Sequence, residues 1–469
     1  KMKQKTLGII CILMLTCNMV LIMPTLVLGE LDTVELSSDL TELNADLQEK
    51  LFKDEVTGGL ESLGDEEGNK VGESEAFAIE NSIATAAFYN RYSRSGNAEC
   101  DDWGENEAFP AVSGLEANNK LYRQEEDPTL YYTADQAIAL EFLSIGYEQS
   151  QNQEILPLLE NVYSSLDDFE SNDTDGYKNA YWQAINEEGY RAGSEYCLTN
   201  VSLWTIVGLL GFGLTVKGLT IDNEEQYSVT SIDIAEKIIE FCEDECFYNG
   251  SGFLEYPYAD FTNPETQNFY FNTQALAVLA YTRLYEATQK QTYLDKAELF
   301  VKYIITLNFL DTGKTGGCVS YFSQADGTKS DVKKGFDNAL YAYALIQLYE
   351  ATSETEYSHL RRAEEIVVFM NDELYQKSED GEILGYVELL VDGDVPDDYE
   401  IRLWKTNALM LFVNEEIIWY ERPWYIKYLW WIIIGSIVIV AIIVIVILIR
   451  KRRNIGTKLP KMVKGLVEE

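Results

Sequence analysis

Histidine is almost absent from this chain. Among 469 residues there is one histidine, His359. Because multi-histidine zinc sites, HExxH proteases and histidine-pair proton shuttles each need at least two imidazoles, the composition excludes these three kinds of chemistry. His359 itself lies in a helical segment beside Arg361 and Arg362, which favours a surface or packing role.

Basic residues are also scarce. The chain has 36 Lys+Arg against 78 Asp+Glu, a formal net charge of −42 at pH 7. Proteins that bind nucleic acid neutralise backbone phosphates with an excess of Lys and Arg, so this balance argues against a nucleic-acid partner. The acid surplus favours a solvated, self-repelling surface, with a surface that binds cations or a basic ligand as the alternative.

Several signatures of cofactor and metal chemistry are missing as well. The sequence has no Gly-x-Ser-x-Gly elbow, Walker loop or dinucleotide fingerprint in a fitting context, and no Asp-x-Asp-x-Asp-Gly calcium loop. Cys242 and Cys246 lie one helical turn apart, but no second Cys/His pair completes a zinc site. We therefore expect neither a cofactor nor a resident metal. With 46% hydrophobic residues, the chain has enough apolar material for a core.

Both ends of the chain carry long apolar segments. Residues 1–29 combine early lysines with an apolar run that ends at Gly29, the layout of a secretory signal peptide; an uncleaved anchor is the alternative. Residues 429–449 are 21 residues without a charge, enough to cross a hydrocarbon core of roughly 30 Å. Aromatic residues precede this segment and the basic tail 450–469 follows it, which predicts a cytoplasmic C-terminus.

The sequence therefore predicts a single-pass type I protein of the plasma membrane. Residues 30–75 read as an acidic linker and 76–425 as an extracellular domain. Residues 30–425 contain 25 Lys+Arg and 76 Asp+Glu, a balance of −51, so the acid lies on the predicted outside. Sequons for N-glycosylation begin at Asn172, Asn200 and Asn249, and they count only because this region is already predicted to be external.

The main domain repeats itself. The clearest copies begin at Phe271-Asn-Thr-Gln and Phe336-Asp-Asn-Ala, and both end in Leu-Tyr-Glu-Ala-Thr. Further starts fall near residues 78, 133, 200 and 403, at steps of about 55 to 71 residues.

Each repeat predicts two helices. The first is small and apolar on most sides, as in 275–280, which is typical of a helix buried all round. The second is amphipathic, as in 294–305. Turns within a pair are short, whereas connections between pairs are long. We therefore predict an all-α (α/α)6 barrel of six helical hairpins plus one C-terminal transmembrane helix; an open solenoid is the alternative architecture.

These repeats resemble a known group of proteins. The alternation of helices, the step length and the Phe-Asp-Asn-Ala-Leu start of an inner helix are similar to the (α/α)6 toroids of six-hairpin glycosidases, N-acylglucosamine 2-epimerases and unsaturated-uronide hydrolases. The resemblance covers about 76–420, and it implies the fold more strongly than one activity. Because the epimerases of this group use histidines for proton transfer, the single His359 disfavours epimerisation by that mechanism.

The long connections all precede inner helices, so they gather at one rim of the barrel, where function usually lies. Aromatic rings stack on sugar rings, and carboxylates and amides bond to hydroxyls, so aromatic and polar residues here suggest a carbohydrate ligand. The candidate binding residues are Gln136, Tyr181, Trp182, Tyr256, Tyr258, Asn272, Gln274 and Asn338. A small core for the loops is the alternative for the aromatics, and helix capping is the alternative for the amides.

Glycoside hydrolysis needs two carboxyl groups, about 5–5.5 Å apart for retention and wider for inversion. Asp135 and Asp337 form the first candidate pair because both occupy equivalent helix starts, and Glu195 and Glu255 come next. The adjacent acids Asp101-Asp102 and Asp397-Asp398 are further alternatives. The sequence thus predicts a cell-surface carbohydrate-active enzyme resembling glycoside hydrolases; a non-catalytic, membrane-anchored ectodomain that binds glycans or proteins is the rival.

Overall fold

The computed structural model describes most of residues 77–421 and a few residues beyond them. The gaps are 124–128, 172–177, 193–196, 218, 220–223, 248–249, 258–267, 311–315, 325, 353–356, 378–382 and 392–404, and the further residues described are 40, 41, 43, 44, 442 and 444–446. Two compact units divide the chain, one of 38–417 and one of 1–37 with 418–469. The predicted signal peptide and basic tail lie outside the described residues.

Twelve α-helices occur between residues 78 and 421 in the described part. Six long ones are the inner helices α1 (Ala78–Ser95), α4 (Thr133–Ser150), α6 (Thr199–Val216), α8 (Phe271–Thr288), α10 (Gly335–Ala351) and α12 (Lys405–Glu421). The others are α2 (Ala98–Trp103), α3 (Phe109–Gly114), α5 (Ile155–Ser165), α7 (Glu224–Phe241), α9 (Gln291–Thr306) and α11 (Tyr357–Phe369). Every predicted repeat therefore begins an inner helix.

The two kinds of helix bury their side chains differently. In α8 nearly the whole run from Phe271 to Leu284 is buried, as expected of small and apolar residues on all sides. In α9 only Ala297, Phe300, Val301 and Ile304 are buried, which is one stripe of the helix. The predicted pairing of a buried with an amphipathic helix is confirmed for α8 and α9, where the apolar stripe of the outer helix is covered by the inner layer.

The inner helices form a closed ring within residues 38–417. Consecutive helices pack in chain order from α1 to α4, α6, α8 and α10. The last helix then returns to the first, since the Arg94 guanidinium bonds both Glu416 carboxylate oxygens at 2.8 and 2.9 Å and the Asn90 amide donates to Glu416 at 2.8 Å. In the centre, Phe412 of α12 packs 5.6 Å from Tyr343 of α10. The all-α (α/α)6 barrel is confirmed, and the open solenoid was wrong.

Part of the stretch before residue 75 packs on this ring. Residues 40, 41, 43 and 44 are helical, and Leu40 and Asn44 are fully buried. The Asn44 amide donates to Glu415 Oε1 at 3.0 Å and accepts from the Asn414 amide at 3.0 Å. Residues near 40–44 therefore cover α12, the inner helix whose outer partner does not follow it in the described chain.

Membrane-spanning character can be judged only for the described residues. Among them, α6 is the one helix long and apolar enough to cross a bilayer, and 89% of its apolar stretch is buried in the ring, as in a soluble core helix. The predicted span 429–449 falls outside the described residues except at 442 and 444–446. Those four residues are helical, with their apolar side chains 42–55% exposed.

One glycine sets the spacing between two inner helices. A Cβ on Gly208 of α6 would lie 2.3 Å from the carbonyl oxygen of Ala137 in α4. We expect Gly208→Ala to destabilise the domain by about 1–3 kcal/mol, because two packed backbones would have to separate. The matched control is Gly114→Ala, where nothing lies within 4 Å of the added atom. Chemical denaturation of both variants measures the difference, and equal midpoints would contradict the close approach.

Short antiparallel strands tie the rim together. They are β1 (Glu116–Ala117), β2 (Lys120–Leu121), β3 (Leu130–Tyr132), β4 (Ala184–Asn186), β5 (Arg191–Ala192), β6 (Asn268–Tyr270), β7 (Tyr321–Ser323), β8 (Val332–Lys334), β9 (Tyr375–Lys377), β10 (Ile383–Tyr386) and β11 (Leu389–Val391). A strand that directly precedes one inner helix is hydrogen-bonded to a strand in the connection that leads to the next inner helix. The pairs β3–β4, β6–β7 and β8–β11 follow this rule. Each connection thus spans two neighbouring hairpins.

A backbone hydrogen bond recurs at the start of the inner helices. It involves five rim triplets, which are three-residue segments of the connections: 121–123, 181–183, 253–255, 318–320 and 386–388. The carbonyl of the last triplet residue accepts from the N–H at the start of the preceding inner helix, as from Ala78 to Arg123 at 3.0 Å and from Thr199 to Glu255 at 2.9 Å. These bonds satisfy helix N–H groups that would otherwise lack partners, and they fix the triplets at the ring's mouth.

Candidate active site

Amide side chains in the inner helices hold the rim triplets in place. Gln136 accepts from the Leu121 N–H at 2.7 Å and donates to the Leu121 carbonyl at 2.7 Å. Gln274 does the same to Phe253, at 3.0 and 2.7 Å. Asn338 repeats the pattern on Cys318 at 2.8 and 3.1 Å, and Asn407 repeats it on Tyr386 at 2.9 and 3.3 Å.

These contacts correct the prediction for three residues. Gln136, Gln274 and Asn338 were predicted to bind substrate, but all three are fully buried. Their oxygens and amide hydrogens are occupied by backbone groups of the connections. They serve as structural clamps, a role that neither capping nor sugar binding describes. Asn272 differs, because it is half-buried and its oxygen accepts from the adjacent Thr273, from the N–H at 2.8 Å and from the hydroxyl at 3.4 Å.

The predicted stacking aromatics also need correction. Tyr181 is 1% exposed and Trp182 is 5% exposed, so neither presents a ring face to a ligand. They belong to the small core beneath the rim, the alternative that the sequence left open. Tyr256 is half-buried next to Glu255. Tyr258 and Glu195 lie outside the described residues, and their proposed roles stay predictions.

The residue just before each clamp brings a polar side chain to the mouth. This position holds Asp135, Thr273, Asp337 and Thr406, and Glu80 occupies the corresponding place near the start of α1. The last residue of a rim triplet meets it there: Arg123 bonds Asp135, Glu255 accepts from the Thr273 hydroxyl, and Glu388 accepts from the Thr406 hydroxyl. We call Glu80, Arg123, Asp135, Glu255, Asp337, Glu388, Lys334 and Lys405 the mouth cluster.

On one side of the mouth cluster, Asp135 is bound to arginine. Arg123 donates to both Asp135 oxygens, from Nε at 2.9 Å and from Nη2 at 3.1 Å, and the carboxyl group is fully buried. Burial raises the pKa of Asp135, while the Arg123 hydrogen bonds and charge oppose the rise. Burial also raises the pKa of Glu80 to about 7, with the Asp135 charge adding to the rise.

On the other side, Glu255 and Asp337 influence one another. Burial raises the pKa of Glu255 to about 7, the Thr273 hydrogen bond opposes the rise, and the Asp337 charge adds to it. Burial raises the pKa of Asp337 to about 6, against the charges of Lys334 and Lys405. Both carboxyl groups are 7% exposed. The structure thus brings Asp337 into electrostatic range of Glu255, whereas Asp135, its first predicted partner, is engaged with Arg123.

Raised carboxyl pKa values suit proton transfer near neutral pH. Burial raises the pKa of Glu255 to about 7 and that of Asp337 to about 6, so both carboxyl groups can exchange protons near neutral pH. Two buried carboxyl groups with raised pKa values can donate a proton to a leaving group and accept one from water.

Half-buried aromatic rings accompany the mouth cluster. The Arg123 guanidinium lies 3.5 Å from the ring centre of Tyr132, and the Lys405 ammonium lies 5.0 Å from that of Phe336. The ring centres of Tyr270 and Tyr321 lie 6.0 Å apart across the β6–β7 pair. These rings are half-buried and therefore better placed to meet a sugar than the buried Tyr181 and Trp182.

Sequence reasoning missed the three cations of the mouth cluster, Arg123, Lys334 and Lys405, together with Glu80 and Glu388. A usable signal was present, because each rim triplet has an apolar first residue and, in three copies, a charged third residue: Leu-Tyr-Arg, Phe-Leu-Glu and Tyr-Val-Glu. In the described rim these triplets lie 15 to 21 residues before the clamp that binds them. Aligning the connections as well as the helices would have found them.

The single histidine lies far from the mouth cluster in the fold. His359 begins the outer helix α11, where its Nε2 lies 2.7 Å from Glu298 Oε1 of α9, and it is 3% exposed. Of its two predicted roles, the packing role is therefore confirmed. Asn200, predicted as a sequon, is the second residue of α6, and its Oδ1 is buried without a partner among the described residues. This position, at the start of an inner helix, does not suit a glycan.

The raised pKa of Glu80 predicts a pH-dependent stability. Its folded value is about 7 against an ordinary 4.5, so the folded state retains a proton that the unfolded chain releases. Stability should therefore fall as pH rises from about 4.5 to 7, by an amount on the order of 3 kcal/mol. Glu80→Gln should remove this loss. In denaturation titrations, the free energy of unfolding of the variant should therefore rise relative to that of the wild type between pH 5 and 7.5. Glu99→Gln, at an exposed position, is the control, and parallel curves for all three proteins would contradict the assignment.

The ring and its polar mouth define an (α/α)6 toroid, and solved structures share this fold. D-mannose isomerase has a TM-score of 0.62 at 14% identity, covering 81% of this chain and 97% of that one. Cellobiose 2-epimerase from Bacillus thermoamylovorans has a TM-score of 0.61 at 16% identity, covering 81% of this chain and 99% of that one. A GH76 α-mannanase from Bacteroides thetaiotaomicron has a TM-score of 0.60 at 13% identity, covering 84% of this chain and 97% of that one. The resemblance inferred from the repeats is thus confirmed for the fold.

In sequence the chain stands further from known proteins. No family model matches it, and no curated protein matches it. The structural neighbours include both sugar epimerases and glycoside hydrolases, one of them an unsaturated glucuronyl hydrolase specific for heparin. The fold is therefore shared across several reactions, and the reaction has to be argued from the residues of the mouth cluster.

Proposed function

We propose that this protein is a carbohydrate-active enzyme of the hydrolase type that acts through Glu255 and Asp337. The observation that carries the proposal is the pair of buried carboxyl groups with pKa values of about 7 and about 6 at one mouth. Glu255 is the general acid that protonates the leaving oxygen. Asp337 is the base or nucleophile on the other side of the scissile bond.

Hydrolysis fits this mouth better than epimerisation. Epimerases of this fold are expected to move protons with histidines, and His359 lies between two outer helices. No other histidine exists in the chain. The neighbouring structures whose names state hydrolysis act on mannan or on heparin-derived sugars, which supports a polysaccharide or oligosaccharide substrate for this chain as well. The mouth aromatics Tyr132, Tyr270 and Phe336 would stack on its rings.

We also propose that the domain works outside the cell, held by the segment 429–449. Support comes from the signal-like residues 1–29, the uncharged apolar run and the basic residues after it. The exposed helical residues Ile442, Val444, Ile445 and Val446 agree with a lipid-facing helix. Proteolysis of intact cells tests this arrangement: cleavage of the main domain with survival of a tag after Glu469 supports it, and full protection of the domain contradicts it.

The enzymatic proposal is tested with the purified full-length chain. A panel of oligosaccharides, including α- and β-linked mannosides, glucosides, xylosides and uronides, is incubated at pH 6.5, and new reducing ends are measured. Release from one class of substrate supports hydrolysis. Saturable binding without release, seen by calorimetry across the same panel, would instead favour the rival role, a glycan-binding ectodomain without activity.

A further inference from the structure

A polar cavity lies at the opposite end of the ring from the mouth cluster. It has a volume of about 470 Å³ and is lined by the C-terminal halves of α4, α6, α8 and α10. We call it the basal cavity. Its deep side is formed by Glu141, Ser144, Gly211 and Arg283, and carboxylates of Glu148, Glu286 and Glu350 surround it.

The deep side contains acceptors that the protein leaves unused. Glu141 is fully buried, and its Oε1 accepts from Arg283 Nε at 3.1 Å and from the Tyr343 hydroxyl at 2.6 Å. Its Oε2 has no hydrogen-bond partner within the described part of the chain, and neither has the Oγ of Ser144, a residue 1% exposed. Gly211 makes room for this carboxylate, since a Cβ there would lie 2.3 Å from Oε2. Two buried polar atoms without partners at one cavity indicate a missing donor.

The electrostatics of the basal cavity favour a cation. Its lining holds four carboxylates, from Glu141, Glu148, Glu286 and Glu350, against the single guanidinium of Arg283. Arg283 is already engaged, with Nη1 bonded to Glu286 at 2.8 Å and Nε to Glu141. In addition, four helices end here, and each helix C-terminus carries a partial negative charge.

We propose that the basal cavity binds an organic ammonium ion. Such a cation brings several N–H donors at once, which the unpartnered Glu141 Oε2 requires and the Ser144 hydroxyl oxygen can accept. A bare metal fits less well, because no group of three His, Cys, Asp or Glu side chains in the described residues is arranged to ligate one. The apolar Ile145, Leu214 and Ala351 between the carboxylates suit an aliphatic chain.

Binding of spermidine to the full-length chain tests this proposal. Calorimetry in 0.15 M NaCl should show saturable binding with one ligand per chain. In a Glu148→Gln/Glu286→Gln variant the Kd should rise about tenfold or more, because two charges facing the ligand are lost. Neither position contributes to the mouth cluster. A Glu99→Gln/Glu365→Gln variant, with the same change in net charge on exposed sites, should bind as the wild type does.

Each result decides the proposal. Glucosamine in a parallel titration separates an amino sugar from a polyamine as the source of the ammonium group. Equal Kd values in both double variants, or binding that never saturates, would show only counterions condensed on a chain of charge −42 and would overturn the site. Tighter binding of Ca²⁺ than of either amine, lost in the cavity variant, would overturn the ammonium ligand.

Discussion

Glu255→Gln is expected to lower turnover about 10³-fold on an oligosaccharide substrate, because general acid catalysis contributes about 10²–10⁴-fold. The amide cannot protonate the leaving oxygen. It can still accept the Thr273 hydroxyl hydrogen bond, so the fold around it should persist. Initial rates at pH 6.5, on the substrate found in the panel, measure the loss.

The leaving group shows whether Glu255 acts as the acid. A 2,4-dinitrophenyl glycoside of the same sugar needs little protonation, so Glu255→Gln should slow its cleavage far less than that of the oligosaccharide. Asp337→Asn should slow both substrates alike, since the base or nucleophile is needed for each. In the wild type, the pH profile should fall on the acid side near 6 and on the alkaline side near 7. The alkaline limb should disappear in Glu255→Gln.

Glu365→Gln is the matched control for these variants. Glu365 lies on an outer helix with its side chain 56% exposed, paired to Arg361 one turn away. It should retain full turnover. Full activity in Glu255→Gln, or equal losses on both leaving groups, would show that another carboxyl group of the mouth cluster carries the proton, and Glu80 would then be the next candidate because its pKa is also about 7.

The helices of this fold were readable in the sequence because their signal is local. Repeated inner-helix starts and the alternation of buried and amphipathic segments predicted all six inner helices, as α8 and α9 show. The contacts between α1 and α12 that close the ring could not be predicted from the sequence. Nothing in the neighbourhood of Arg94 reveals that Glu416, 322 residues later, will bind it.

The candidate site was readable only in part, and for a physical reason. A buried amide at a helix start fits a cap, a substrate ligand or a backbone clamp equally well in the sequence. The choice depends on which backbone group faces it, as Leu121 faces Gln136. The same ambiguity applies to rings, since Tyr181 and Tyr270 look alike in composition but differ in burial. The carboxylates could be recognised as candidate catalytic groups from the sequence. Their hydrogen-bond and charge partners could not, because these depend on which rim triplet lies against which inner helix.

The clamps are expected to matter to stability as much as the mouth cluster matters to activity. Gln274→Ala leaves the buried N–H and carbonyl of Phe253 without their partners. Each unsatisfied buried group costs about 1–3 kcal/mol, so the free energy of unfolding should fall by roughly 2–5 kcal/mol. Denaturant titration of the full-length chain measures this loss. Asn272→Ala, two residues away but half-buried, should lose less than about 1 kcal/mol.

A second substitution separates the two halves of the clamp. In Gln274→Glu the carboxylate still accepts from the Phe253 N–H, but its other oxygen faces the carbonyls of Phe253 and Tyr270, which need a donor. When protonated, the same group donates again. Gln274→Glu should therefore be strongly destabilised at pH 8 and largely restored at pH 5, unlike Gln274→Ala. Because Glu255 follows Phe253 by two residues in the same rim triplet, turnover of the variant relative to the wild type at the same pH should recover with the fold. Stability that does not depend on pH in Gln274→Glu would rule out the clamp as the source of the effect.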